Sequence, residues 1–216
     1  MKTVTKSYTK ESVILSLGDT CITKTTRENM RIVLLGAPGS GKGTQAKLIV
    51  KKLNIPHIST GDLLRGAIAA KTALGLAAKE VMDKGDLVSD EIVLGMLKER
   101  VTQNDASKGF ILDGFPRNVA QAEMLEALLI ELDMKLDHAL LIQVDPDEVV
   151  ARIAKRAEIE GRTDDTEDVV RNRLNVYKEQ TAPVADYYKN QDIVTEILGK
   201  GSIEDVQERI QAVLRF

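Results

Sequence analysis

Gly36-Ala-Pro-Gly-Ser-Gly-Lys-Gly-Thr44 is the stretch of this 216-residue sequence whose residue types are best suited to chemistry. Glycines let backbone N–H groups turn inward around phosphate oxygens without side-chain clash. A helix start behind them adds partial positive charge. Lys42 would reach the outer phosphates as a compact cation. The stretch follows the β-branched, apolar run Arg31 to Leu35 and leads into a helical pattern, Lys42 to Leu53. That setting separates a phosphate-binding loop from an ordinary glycine-rich turn. One position departs from the usual pattern, in which Ser or Thr follows the lysine and its hydroxyl binds Mg²⁺. Gly43 stands there, and the hydroxyl comes one residue later, at Thr44. A metal would then have no direct protein ligand and be held by phosphates and water. Asp113, at the end of a second buried run, is the candidate to reach such a Mg²⁺ through water. Its alternative reading is a turn former before Gly114.

Asp113-Gly-Phe-Pro-Arg117 would project Arg117 from a rigid turn towards the same place. Arg152 and Arg156 are four residues apart, so one helix face carries both. Arg162 follows in a polar turn and Arg173 on the next helix. Any one of them alone reads as a solvated surface arginine. Together, beside a phosphate loop in a chain of net charge −3, they read as planar, bidentate phosphate clamps. Phosphoryl transfer asks for alignment and charge stabilisation, and for no general base beyond positioning. His57 and His138 are accordingly read as structural.

The frame that would position these groups alternates strands and helices. Arg31 to Leu35, Phe110 to Leu112, Ala139 to Val144 and Ile193 to Leu198 are short, mostly apolar runs, as strands buried on both faces are. Asp145-Pro146 supplies an N-cap and a first-turn proline for a helix with Val149, Val150 and Ile153 on one face. Ser202 and Asp205 make a capping-box start to a helix with Ile203, Val206, Ile210 and Val213 at helical spacing. The pattern predicts an α/β fold, a three-layer parallel sheet with helices on both faces. Two stretches interrupt it. Residues 59 to 88 look helical, and 157 to 165 form a polar turn between helices. Ligands of such sheets lie beyond the carboxyl ends of the strands. Insertions there are natural covers that close and expel water.

At 43% hydrophobic and 29% charged, the chain suits one compact soluble domain. Its slight acidity, 3% aromatic content and lack of Trp argue against a nucleic-acid polymer as partner. No apolar run approaches the ~18 residues of a membrane span, so no membrane partner is expected. A single cysteine, Cys21, rules out an internal disulfide and favours a reducing compartment, the cytoplasm. Residues 1 to 29 are rich in Ser and Thr and carry Lys2, Lys6, Lys10, Lys24 and Arg27. They read as an organelle-targeting segment, as a hairpin of Ser12 to Leu17 and Thr20 to Lys24, or as a disordered extension ahead of Met30. Glu11, Asp19 and Glu28 speak against the first. Composition favours the third.

Gly36 to Gln45, Ile58-Ser-Thr-Gly-Asp-Leu-Leu-Arg65, Asp113 to Arg117 and Gly161-Arg-Thr-Asp-Asp165 occur here in the order found in adenylate kinases. From about residue 30 to 216 the chain resembles the short-lid form of that family, a branch of the P-loop nucleoside monophosphate (NMP) kinases. The resemblance implies a P-loop NTPase-type domain over 30–216, with a helical NMP-binding insertion at 59–88 and a short lid at about 155–165. It implies reversible transfer of the terminal phosphoryl group of ATP to AMP, giving two ADP, with Mg²⁺ accompanying ATP. The setting would be nucleotide biosynthesis, namely adenine nucleotide homeostasis and purine salvage, and the protein a monomer.

Carried over by position, Gly39, Ser40, Gly41, Lys42, Gly43 and Thr44 would hold the ATP phosphates. Arg152, Arg156 and Gly201 would also serve ATP. Thr60, Arg65, Gly114, Phe115, Pro116, Arg117 and Gln121 would hold AMP, with Asp86, Leu87 and Val88 lining its adenine through backbone. Arg162 and Arg173 would bridge both nucleotides. Asp164 and Asp165 would hold the lid closed by pairing with arginines. Catalysis would fall to Lys42, Arg117, Arg156, Arg162, Arg173, Asp164 and Asp165.

Two departures stand out. The lid lacks the inserted small domain of the longer bacterial form, and with Cys21 alone a cysteine zinc site is excluded. Asp86 stands where many relatives have lysine, a change its backbone role survives. UMP/CMP kinases are the alternative, since they share the short lid and the Asp113 to Asn118 run. They tend to have alanine at the place of Thr60 and asparagine at that of Gln121, so both residues point to adenine. Gln121 can present an amide donor and acceptor to the adenine edge. A small-GTPase-like switch would need an Asn-Lys-x-Asp motif, which this sequence does not contain.

Overall fold

A computed structural model describes residues 29–145, 148–149, 151–153 and 166–215, together with the backbone of three strands ahead of them. Those strands are β1 (Thr5–Thr9), β2 (Ser12–Leu17) and β3 (Thr20–Lys24). They pair antiparallel in a sheet of their own, with Leu17 opposite Thr20. β2 and β3 have the bounds of the hairpin reading, where the disordered-extension reading gives no strands. The lid expected at about 155–165, with Arg156, Arg162, Asp164 and Asp165, lies outside the described residues.

The second sheet is the frame of the site. It comprises β4 (Met30–Leu35), β5 (His57–Ser59), β6 (Gly109–Asp113), β7 (His138–Gln143) and β8 (Val194–Leu198). Their order is β5-β6-β4-β7-β8, and every pairing is parallel. Side chains alternate across a strand, and here the alternation sorts the core into two layers. Val33, Leu35, Phe110, Leu112, Ala139 and Leu141 face one layer. Ile32, Leu34, Ile111, Leu140 and Ile142 face the other. A strand buried on both sides can hold no polar residue in its middle, which is why these runs read as continuous apolar stretches.

Helices complete the two layers. α1 (Lys42–Leu53) buries Ala46 and Ile49 on the Ile32 side. α2 (Thr60–Ala69) and α3 (Ala73–Lys84) follow β5, and α4 (Asp90–Val101) and α5 (Val119–Glu131) cover the Val33 side. Residues 148, 149 and 151–153 are helical, with Val149 and Ile153 buried. α6 (Glu167–Val176) runs through a π turn (Tyr177–Thr181) into α7 (Ala182–Lys189). α8 (Ile203–Leu214) starts with the expected capping box between Ser202 and Asp205.

Two expectations change. Ile203 was placed on the buried face of α8 but is 51% exposed, and Leu214 takes the buried position one turn after Ile210. As a first-turn residue, Ile203 instead lines the cleft described below. The edge strand β5 was not expected, because three residues are too few to show a period-two pattern. Its partner makes it a strand: His57 pairs with Ile111 and Ser59 with Asp113.

Candidate active site

The carboxyl ends of β4, β5 and β6 open into one cleft of about 850 Å³. β4 delivers the glycine loop to its floor. Gly41 precedes α1 with φ of 97°, in the left-handed region that favours glycine. No described side chain caps α1, and its first turn carries no acidic residue. A helix start without a side-chain cap or an acid suits an anion in the cleft. Lys42 Nζ folds over the loop and donates to the carbonyls of Gly36 and Ala37 at 2.8 and 2.9 Å. Arg152 braces the loop from the far side. Its guanidinium donates to the Gly199 carbonyl at 2.9 Å and lies 3.5 Å from the Ser40 carbonyl.

β6 ends at Asp113, where a tight turn with a cis Phe115–Pro116 peptide leads to Arg117. Arg117 Nε donates to the Gly114 carbonyl at 2.8 Å, which also accepts from Thr60 Oγ1 at 2.9 Å. From α7's side, Thr181 Oγ1 donates to the Arg117 carbonyl at 2.7 Å. Gln121 is buried, its Oε1 accepting from Arg117 N and its Nε2 donating to Asp90, both at 2.7 Å. An amide has two donor hydrogens and two acceptor lone pairs. One of each is taken, which leaves one of each for a base edge. Arg65 pairs with Asp62 within α2. Burial pushes the Asp62 carboxyl up, but the Arg65 guanidinium outweighs it and holds it below the ordinary value.

Asp113 sits between the two sides. A Cβ on Gly43 would lie 3.5 Å from its Oδ2, so the carboxylate faces the first turn of α1. Burial opposes its ionisation, but His57 at 3.3 Å and the charges of Lys42 and Arg117 outweigh that and hold its carboxyl down. One ionised carboxylate beside a phosphate cradle fits a Mg²⁺ that keeps its waters. Among the described residues no cluster of three acidic, His or Cys side chains could cage a metal.

Every candidate residue within the described part lines this cleft. It brings together Gly39 to Thr44, Arg152 and Gly201 with Thr60, Arg65, Asp86 to Val88, Asp113 to Arg117, Gln121 and Arg173.

An adenylate kinase family model matches residues 34–193. The chain is 53% identical over 186 residues to the adenylate kinase of Stenotrophomonas maltophilia strain K279a, covering 86% of this chain and 100% of the relative. It is 55% identical over 185 residues to that of Xanthomonas oryzae pv. oryzae strain MAFF 311018, covering 86% and 99%. It is 49% identical over 212 residues to that of Thermodesulfovibrio yellowstonii, with the same coverage. The chain belongs to the adenylate kinase family.

Family membership favours ATP and AMP as the nucleotides over the UMP/CMP alternative. Within this adenylate kinase cleft, three groups have partners that the sequence does not show. His57 was read as structural, yet it lines the cleft and touches Asp113. Only the β5–β6 register brings them together. Asp90 and Thr181 support Gln121 and Arg117 from 31 and 64 residues away in sequence. No local pattern could have shown either.

Proposed function

We propose that this cleft transfers the terminal phosphoryl group of ATP to AMP, giving two ADP, with ATP on the glycine-loop side. The observation that carries the reading is the uncapped, acid-free start of α1 with Lys42, facing Arg65, Arg117 and Arg173 across one cleft. Backbone N–H groups of residues 39–44 and Lys42 hold the donor phosphates, and Arg152 positions the loop that carries them. Arg65 and Arg117 hold the acceptor phosphate, and Arg173 spans the gap. Thr60 and Gln121 orient the acceptor base against the backbone of residues 86–88. The outlying lid residues Arg156, Arg162, Asp164 and Asp165 are assigned to closure over both nucleotides.

Asp113 would hold a Mg²⁺ through water, and the ion would supply positive charge to offset that of the nucleotide phosphates. The protein's contribution is alignment and exclusion of water, since an open cleft would hydrolyse ATP. A coupled assay with AMP, CMP and UMP as acceptors tests the assignment. AMP is expected to turn over fastest, and a preference for CMP or UMP would overturn it.

The same reading makes the protein a cytoplasmic monomer that balances adenine nucleotides, with residues 1–29 outside the machinery. Sedimentation at one protomer's mass and unchanged kcat/KM after deletion of 1–29 are the expected results. Loss of activity on that deletion would give the extension a working role.

A further inference from the structure

Helix α6, which carries Arg173, also reaches back to the acceptor side. Asn172 Nδ2 donates to the Lys84 carbonyl and to Asp86 Oδ1, both at 2.8 Å. A primary amide has two hydrogens, and each has its own acceptor here. The Lys84 carbonyl is one of those left open at the end of α3. The turn's own N–H groups go elsewhere, Gly85 N to Met82 and Asp86 N to Val81. Gly85 has φ of 81°, and a Cβ there would lie 3.0 Å from the Val169 carbonyl and 3.3 Å from Arg173 Cγ. The end of α3 and the middle of α6 therefore meet backbone to backbone, and Gly85 permits it.

We propose that Asn172 is a positioning residue for the acceptor nucleotide. By holding the 84–86 turn it fixes the wall formed by Asp86, Leu87 and Val88 relative to Arg173, one helical position away. The Asp86 side chain, for which the sequence suggested no role, is the second anchor of this clamp. The wall and the arginine then reach the acceptor as one preassembled unit, and binding AMP need not order them separately. The donor loop is untouched by this contact and only Arg173 is shared with it, so the larger effect falls on the acceptor. The inference rests on the assignment of residues 60, 65 and 86–88 to the acceptor.

Steady-state kinetics on the full chain test it. Asn172→Ala removes both hydrogen bonds, and Asn172→Asp sets two carboxylates against each other. Either is expected to raise KM for AMP by about three- to tenfold, and KM for ATP by clearly less. Asp86→Ala, which deletes one anchor at an exposed site, should give the smaller part of the same shift. Asp86→Asn added to Asn172→Asp reverses the donor and acceptor, and should recover part of the loss. A general loss of packing would raise both KM values equally and gain nothing from the reversal. An unchanged KM for AMP, equal rises for AMP and ATP, or no recovery in the reversed pair overturns the clamp. Arg65→Ala is the control: if it too leaves KM for AMP unchanged, the acceptor assignment itself has failed.

Discussion

Helices α1 and α2 both start at the cleft, α1 after the glycine loop that follows β4 and α2 directly after β5, and their first turns are built in opposite ways. α1 follows a left-handed glycine, with no described side-chain cap and no acid. α2 follows Ser59, whose hydroxyl accepts from Asp62 N, and Asp62 adds a negative charge in the first turn. The positive end of a helix can serve either its own chain or a ligand. In α2 it is used up internally. In α1 it is kept open. So the donor side can grip phosphate with backbone, while the acceptor side must use side chains such as Arg65 and Arg117. Backbone sites are damaged by added atoms, and side-chain sites by removed ones.

Gly39→Ala is the sharpest way to break that contrast on the donor side. Gly39 has φ of 79°, and a Cβ there would lie 2.6 Å from Ile153 Cγ1 and 3.1 Å from the Val149 carbonyl. The left-handed conformation alone costs a non-glycine residue ~1–2 kcal/mol. The overlap adds to it, so the loop must shift. A displaced cradle is expected to lose about a hundredfold in kcat/KM for ATP, by analogy with small misplacements of reacting groups. Kinetics with ATP varied at saturating AMP give the number. A loss under about threefold would mean that the loop grips through Lys42 alone.

Asp113 lies where the two sides meet, and its expected effect is next in size. Its depressed folded-state pKa contributes stability above the ordinary carboxyl value of 3.8, and that stability is lost as pH falls through the folded value. Asp113→Asn keeps the shape and removes the charge. Its stability deficit should be about 1–3 kcal/mol at neutral pH, the cost of breaking a buried charged hydrogen bond. The deficit should shrink as pH falls below the ordinary carboxyl value and vanish as it passes the depressed folded value, where the unaltered chain loses the same charge. Urea unfolding at neutral and acid pH checks this, and a deficit that stays constant would assign the effect to shape.

The two sides also differed in how far they could be read from sequence. The centre of the donor side is contiguous: strand, glycine loop and helix occupy residues 30 to 53, so local pattern reveals them in register, while Arg152 and Gly201 join from elsewhere. The capping box at Ser202 is local in the same way. The acceptor side is assembled across the sheet. Gln121 meets Asp90, Arg117 meets Thr181, and His57 meets Asp113 through a three-residue edge strand. The Asp113-to-Arg117 turn could be read because its glycine and proline mark it. Its supports could not, because parallel strand order decides them and no single segment encodes that order. Ile203 differs for a related reason, since helical spacing tells which residues share a face but not which of them open on the cleft.

The smallest expected effect has the opposite sign, and it tests the contrast with the same chemical change. Gly66 lies inside α2, exposed, and a Cβ there would meet no atom within 4 Å. Its φ is not in the left-handed region. Glycine in a helix interior costs roughly 0.5–1 kcal/mol relative to alanine, mainly through the freedom it gives the unfolded chain. Gly66→Ala should therefore stabilise the protein by about that amount, where Gly39→Ala damages it. A methyl group is added in both cases. On the donor side it enters space that the backbone needs, and on the acceptor helix it enters solvent. Paired urea titrations of the two variants measure the difference, and destabilisation by Gly66→Ala would show that this face of α2 is covered during folding or closure. Because α2 belongs to the expected cover, its turnover is informative as well. If opening of residues 59–88 involves fraying of α2, the stiffer helix should lower kcat slightly while leaving KM for AMP in place.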